Sequence, residues 1–423
     1  MVTTTMNLSD SDKKILHGEE GEARQIAMRI LIRIADIQGA TEFVDITHAH
    51  IGGSLYTGPG SLKVIEKFAE LGGKVKVPTT INAISIDRKR WREQGIDEEF
   101  AGYADRLARA FEKMGANPIF SCTPYIFPEG PKFGDNIVWA ESNAIAYANS
   151  VIGARTNRHG DFIDICAALT GRAPLAGLHL KENRIGTFLV NVPELDEVDP
   201  NFYSVLGYLI GKHAKEDVPI VNGIKVKPTL EDLKSFSSMI STSGPVGIYH
   251  LVGVTPEAKT LEQALDGKEP IRILNVTKEE LETVWKGLTT SYGAKLDLVL
   301  MGSPHFTLSE FQELTKLVVG KKIHSNIDFL ITTNTLVFRQ AEKEGWIEKI
   351  KEFGARFSTD ICLCSLHENM FPKTTQTVLT NSGKFAHYGP GLINRGVFFG
   401  AMEDCVNSAI LGEVVIGKPK WLN

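Results

Sequence analysis

Cysteine is scarce: the chain has 5 among 423 residues, at Cys122, Cys166, Cys362, Cys364 and Cys405. That is too few and too scattered to staple a protein of this length, so no disulfide framework is expected, and free thiols point to a reducing cytoplasm. No stretch approaches the roughly 18 uninterrupted apolar residues of a membrane-spanning helix. The segment Met1 to Asp10 has no basic region ahead of an apolar one and is not read as a signal peptide. Basic residues are not in surplus: Lys and Arg number 46 against 51 Asp and Glu, a net charge of −5. Nothing therefore calls for nucleic acid or an anionic membrane as partner, and any anion site must be local, made by backbone N–H groups and a few Arg or Lys. Internal repeats, low-complexity segments and heptads are missing too, which removes solenoids and coiled coils.

What is present is ordinary globular material. Apolar residues make up 43% and charged residues 23%, and at roughly 150 residues per domain the length suits two or three α/β lobes. Helical and extended patterns alternate. A helical N-terminus over Ser9 to Ala35 is followed by a strand at Thr41 to Ile46 that runs into His48-Ala-His-Ile-Gly-Gly-Ser54. A helix at Leu62 to Leu71 closes on Gly72-Gly73, a left-handed stop, before a strand at Lys74 to Thr80. A helix at Phe100 to Met114 precedes a strand at Pro118 to Phe120 that delivers Cys122, and helices follow at Glu141 to Val151 and Asp161 to Leu169. A second series starts near Thr229 and ends with a helix at Thr335 to Phe353 leading into Cys362. Strands separated by helices imply parallel sheets with crossover connections. The glycine-rich, polar or cysteine-bearing segments fall after strands (Gly52-Gly-Ser54, Asn82, Cys122, Gly302-Ser-Pro-His305, Cys362). In parallel sheets that is where ligands bind, so these loops are expected to meet at one cleft.

Free cysteine is most often a small buried hydrophobe, and Cys405, in the apolar helix Met402 to Leu411, fits that role. Cys166, in Asp164-Ile-Cys-Ala-Ala168, reads either way. Cys122, in Phe120-Ser-Cys-Thr-Pro-Tyr125, and Cys362, in Ser358-Thr-Asp-Ile-Cys-Leu-Cys364, sit in polar turn-like segments and read as metal ligands. Zinc sites usually carry thiolates in close pairs, and Cys362-Leu-Cys364 is one residue too tight. Thiolates spread along the chain suit an iron–sulfur cluster held between lobes.

Three further segments offer chemistry beside a plainer reading. Gly52-Gly-Ser54 is either a simple turn or a loop whose amides approach an anion. Glu141, Ser142 and Asn143 cap a helix, but Arg155 and Arg158, in the polar loop behind it, suit carboxylate or phosphate. Ser382 and Lys384, in Thr380-Asn-Ser-Gly-Lys-Phe-Ala-His-Tyr388, offer an acid, a base or an anion clamp. No hydrolase elbow or Walker loop is present.

Taken together, Ser121-Cys-Thr-Pro-Tyr125, Trp139-Ala-Glu-Ser-Asn143 running to Arg158, Gly302-Ser-Pro-His305 and Asn381-Ser-Gly-Lys-Phe-Ala-His-Tyr388 resemble signatures of the aconitase X family, in order along essentially the whole chain. The resemblance implies an α/β fold, the three-lobed aconitase-like large subunit with parallel-sheet βα lobes around a central cleft. The approximate lobes would be 1–60 with 375–423, 61–228 and 229–374, and the smaller swivelling portion would be a separate subunit. It implies a hydro-lyase with an iron–sulfur cluster (2Fe–2S or 4Fe–4S) acting on a small carboxylate. The substrate would be cis-3-hydroxy-L-proline, giving Δ1-pyrroline-2-carboxylate, or (R)-5-phosphomevalonate. Cluster thiolates would come from Cys122 and Cys362. Where the archaeal pattern has a third cysteine this chain has Ser303, which favours hydroxyproline and leaves Cys166 as first choice for the third thiolate, with Cys364 in reserve. By the same resemblance Gly52, Gly53, Ser54, Asn82 and Ala83 would touch substrate, with Glu141 and Ser142 close by. The base is expected to be Ser54, Ser382 near Lys384, or a serine of the partner; Arg155 and Arg158 or backbone amides would hold the carboxylate. A cluster-free binding subunit and a zinc hydrolase are the competing readings.

Overall fold

The computed structural model describes residues 6–422. Residues 1–5, which begin the segment judged to carry no signal peptide, and residue 423 lie outside the described residues. Three parallel sheets form in succession along the chain. The first orders its strands Thr79–Ile81, His48–Ile51, Ile137–Trp139, and beside it Phe43–Asp45 pairs antiparallel with Arg172–Pro174. The second orders His250–Leu251, Pro219–Asn222, Phe188–Asn191, Arg272–Asn275. The third has five strands, Arg356–Thr359, Asp328–Thr333, Leu298–Met301, Thr377–Thr380 and Gly396–Phe399. Central strands such as Leu298–Met301 are buried along their whole length, as expected for parallel strands covered on both faces by crossover helices.

The expected α/β class holds, but the lobe boundaries fall elsewhere. A division after residue 60 runs between His48–Ile51 and Thr79–Ile81, which are hydrogen-bonded neighbours. One after 228 splits the four-stranded sheet. Each sheet needs its own crossover helices to bury it, so it keeps a contiguous stretch of chain. Local structure also departs from the sequence pattern at glycines. The long N-terminal helix is two, Asp10–His17 and Glu22–Gln38, because Gly18 takes φ 84°. The helix expected over Thr335 to Phe353 is likewise broken at Gly345. Pro118 to Phe120 is not a strand; residue 117 makes only a bridge to Thr80. Among the described residues no helix is long and apolar enough to cross a membrane, and all five cysteines are free.

Candidate active site

The loops do converge. Gly52 follows His48–Ile51, Asn82 follows Thr79–Ile81, Glu141 follows Ile137–Trp139, Cys362 follows Arg356–Thr359 and Ser382 follows Thr377–Thr380. The first and third sheets thus turn their carboxyl ends toward each other, and the Ile84 amide donates to the Asp360 carbonyl at 2.8 Å to tie them.

The thiols of Cys122 and Cys364 both hydrogen-bond to that of Cys362. Cys122 and Cys362 are 2% and 8% exposed. The backbone amide of His305 donates to the Cys122 sulfur at 3.1 Å, and that of Cys364 to the Cys362 sulfur at 3.4 Å. Hydrogen bonds from its two neighbours hold the Cys362 thiol well below the usual range, whereas burial and then Cys362 push Cys122 up. The residue two before each loop cysteine has a strained backbone: Phe120 has φ 42° and Asp360 φ 70°. Such conformations cost on the order of 1–3 kcal/mol and persist where the surroundings over-determine them. At Asp360 the anchors are visible, since the Thr335 amide donates to its carboxylate at 2.7 Å.

Cys166 is not part of this group. It lies on the helix Ile163–Thr170, fully buried among apolar residues, and burial pushes its thiol well up. The reserve choice, Cys364, is the third thiol. Cys405 packs in the core behind the five-stranded sheet. Among the described residues no three His, Cys, Asp or Glu are gathered as a ready metal site, which bears equally on zinc and on iron. The three thiols, Cys122 and Cys362 buried and Cys364 half-buried, are of the donor type that an iron–sulfur cluster takes.

Next to the thiols sits an ion pair. Lys384 Nζ donates to Glu141 Oε1 at 2.8 Å, with side-chain exposures of 11% and 15%. Asn143 Nδ2 donates to the same oxygen at 2.8 Å and Asn82 Nδ2 to the other at 3.1 Å. Burial works to raise the Glu141 carboxyl, but the Lys384 charge and these donors prevail and hold it below the ordinary range. Burial likewise opposes the Lys384 charge, but Glu141 and then the three thiols raise it well above the usual lysine range. Asn143, which sequence reasoning treated only as a cap residue, also bonds the Cys122 carbonyl and receives the Tyr125 hydroxyl.

The glycine loop is built for close approach. A Cβ on Gly52 would lie 2.7 Å from the Ala140 Cβ. The Gly52 amide donates to Asp164 at 2.6 Å, the Ser54 hydroxyl to the Ala83 carbonyl at 2.8 Å, and the Ala83 amide to Asn82 at 2.8 Å. Both expected serine bases are occupied: Ser54 as above, while the Ser382 hydroxyl donates to the Ser303 carbonyl and accepts from the Phe385 amide. Lys384 pairs with the Glu141 carboxylate rather than with Ser382. Ser142 begins the helix Ser142–Tyr147 beside Glu141. Arg158 is exposed, bonds the Gly244 carbonyl at 3.0 Å and feels the charges of Tyr388 and Glu141. Arg155 donates to the His179 carbonyl at 3.1 Å.

Asp164 had not stood out in the sequence. Burial pushes its carboxyl up to about 6 from an ordinary 3.8, against the amides of Gly52 and Ile165. A carboxyl raised on folding binds its proton more tightly in the folded state. Its cost is therefore absent below pH 3.8, grows as pH rises to about 6, and is constant above. Two units amount to ~3 kcal/mol. Relative to Asp164→Asn, the wild-type melting temperature is expected to fall by a few degrees between pH 4 and pH 7. A difference that stays flat across that range would show that the carboxyl titrates normally.

The chain matches the aconitase X first domain over residues 5–182, the second over 186–286 and the third over 296–411. It is 46% identical to a cis-3-hydroxy-L-proline dehydratase of Pseudomonas aeruginosa, over 97% of this chain and 71% of that one. It is 35% identical to the phosphomevalonate dehydratase large subunit of Methanocaldococcus jannaschii, over 94% and 99%. The crystal structure of Thermococcus kodakaraensis aconitase X in its holo form superposes with a TM-score of 0.85 at 33% identity, covering 96% of this chain and all of that one. With all three domains matched in order and the fold shared, this chain belongs to the aconitase X family.

Proposed function

We propose that the protein is a hydro-lyase that dehydrates cis-3-hydroxy-L-proline to Δ1-pyrroline-2-carboxylate. The observation that carries the reading is the meeting of Cys122, Cys362 and Cys364 beside the Glu141–Lys384 pair. It is supported by 46% and 42% identity to cis-3-hydroxy-L-proline dehydratases of P. aeruginosa and Hypocrea jecorina, against 35% for the M. jannaschii phosphomevalonate enzyme. Cys122, Cys362 and Cys364 would hold an iron–sulfur cluster. When bound, it supplies a Lewis acid for a hydroxyl that is otherwise a poor leaving group.

The chain's own residues do the rest. Arg158 draws the carboxylate in. The Gly52–Ser54 and Asn82–Ala83 loops, locked by Asp164 and by each other, shape the wall against the ring. Glu141, kept ionised by three donors, takes the proton from the carbon that bears the carboxylate. Lys384, kept protonated, offsets the charge that develops and gives a proton to the departing oxygen, so that water leaves; the resulting ring enamine tautomerises, a proton passing from nitrogen to the former hydroxyl-bearing carbon, to Δ1-pyrroline-2-carboxylate. A positioned acid or base contributes roughly 10²–10⁴-fold. The M. jannaschii relative is named a large subunit, and by that likeness we infer a small partner subunit completing the cleft. Free thiols and an iron centre suit a reducing cytoplasm.

Co-production with a small partner under anaerobic conditions, followed by parallel assays on cis-3-hydroxy-L-proline and (R)-5-phosphomevalonate, tests the reading. Pyrroline formation with iron and inorganic sulfide bound is the expected result. Dehydration of phosphomevalonate alone would move the protein to the second activity. Iron-free protein that binds substrate without turnover would make it a binding subunit.

A further inference from the structure

The first amides of the helix Gly383–Ile393, those of Gly383 and Lys384, have no intrahelical acceptor, while Phe385's is taken by the Ser382 hydroxyl at 3.0 Å. In front of them lies a cavity of about 40 Å³, also bounded by Ser238 and Ser303. The two serines are 2% and 6% exposed, and neither hydroxyl has a hydrogen-bond partner among the described residues. Their neighbours show the contrast. On the same helix as Ser238, Ser237 meets the Tyr249 hydroxyl at 2.7 Å and Ser241 the Ser237 carbonyl at 2.7 Å. Unpaired buried hydroxyls are costly, and two beside one cavity mark a place where a partner belongs.

We propose that this cavity is a carboxylate-binding subsite, with the amides of Gly383 and Lys384 and the hydroxyls of Ser238 and Ser303 as its donors. The space is small, and two amides with two hydroxyls match the two oxygens of a carboxylate. Charge agrees. The one acid in the wall, Glu310, is paired with Lys234, which also donates to the His305 carbonyl, and a helix N-terminus favours an anion. A Cβ on Gly383 would lie 2.6 Å from the Met239 sulfur, so the wall there is closed by packing. Lys384 borders this cavity and grips Glu141 at its other end, which sets a carboxylate held here within one side chain of the proton acceptor. The link to substrate rests on the proposed dehydration; the subsite itself does not.

L-Proline, which carries the carboxylate but no hydroxyl to lose, and acetate are to be titrated by calorimetry into the full chain, wild type and Ser238→Ala, Ser303→Ala and the double variant. Each truncation is expected to weaken proline and acetate roughly tenfold, the scale of one hydrogen bond to a charged acceptor. The melting temperature should hold or rise, because an unpaired buried hydroxyl is removed. Competition between acetate and proline assigns the site to the substrate's carboxylate. Acetate binding without competition assigns it to a free small carboxylate and overturns the link to substrate. Unchanged affinity for both ligands in the double variant overturns the subsite, and loss of iron from Ser303→Ala reassigns that hydroxyl to the metal. Because binding is read without turnover, a failed dehydratase assay leaves the test intact.

Discussion

Cys362→Ala is expected to empty the centre: iron and inorganic sulfide fall to background, the visible absorbance disappears, and turnover drops by about a thousandfold or more, the scale of losing a Lewis acid worth several kcal/mol. Cys362 is the hub of the triad, since both other thiols bond to it and its loop is fixed on one side by Asp360 and on the other by the turn Leu363–Ser365. The loss should be local. The strand Arg356–Thr359 that delivers the loop is paired along its length with Asp328–Thr333, so circular dichroism and melting temperature are expected to stay near wild type. Cys166→Ala is the control with the opposite signature. That thiol packs in an apolar core, where burial and then Asp164 push it up, so the variant loses a little stability and keeps its iron. Full iron in Cys362→Ala, or iron lost from Cys166→Ala, would dismantle the assignment.

The difference between Cys166 and Cys364 shows what the sequence could and could not convey. The alternation of patterns was enough to place Gly52 and Asn82 at strand ends, and from there in one cleft, because parallel crossover topology brings ligand loops to that edge. It did not reveal the short strand Ile137–Trp139, nor Arg356–Thr359, whose three or four residues are too few to set a period. Nor could it show that Cys362-Leu-Cys364 bends into a single tight turn that brings the Cys364 amide within 3.4 Å of the Cys362 sulfur. Spacing alone made that pair look too tight for zinc, and Cys166 was the first choice for the third thiolate, with Cys364 in reserve. The Glu141–Lys384 pair was out of reach for a related reason. It joins two residues 243 positions apart in sequence, and such a pairing is fixed only by how the first and third sheets face each other. Ser382, adjacent in sequence to that lysine's helix, was the nearer guess, but its hydroxyl is consumed in capping.

Glu141→Gln is expected to lower kcat by roughly 10²–10⁴-fold, the usual worth of a positioned proton acceptor, with KM little changed. The amide keeps the shape and can still accept from Asn82 or Asn143, but it cannot hold the proton. Lys384→Met should be worse for the fold than for binding. It leaves the Glu141 carboxylate buried and without its cation, and breaking one side of such a pair typically costs ~3–5 kcal/mol. The double variant Glu141→Gln/Lys384→Met separates the two roles. If the pair's stabilising part is mutual, the double variant recovers much of the stability that Lys384→Met loses, because no unpaired charge remains, while turnover stays at the level of Glu141→Gln. A structural-only pair predicts instead that stability and kcat recover together. Turnover of Glu141→Gln within a few-fold of wild type, in protein with full iron, would remove Glu141 from the proton transfer and return the search to the partner subunit's side of the cleft.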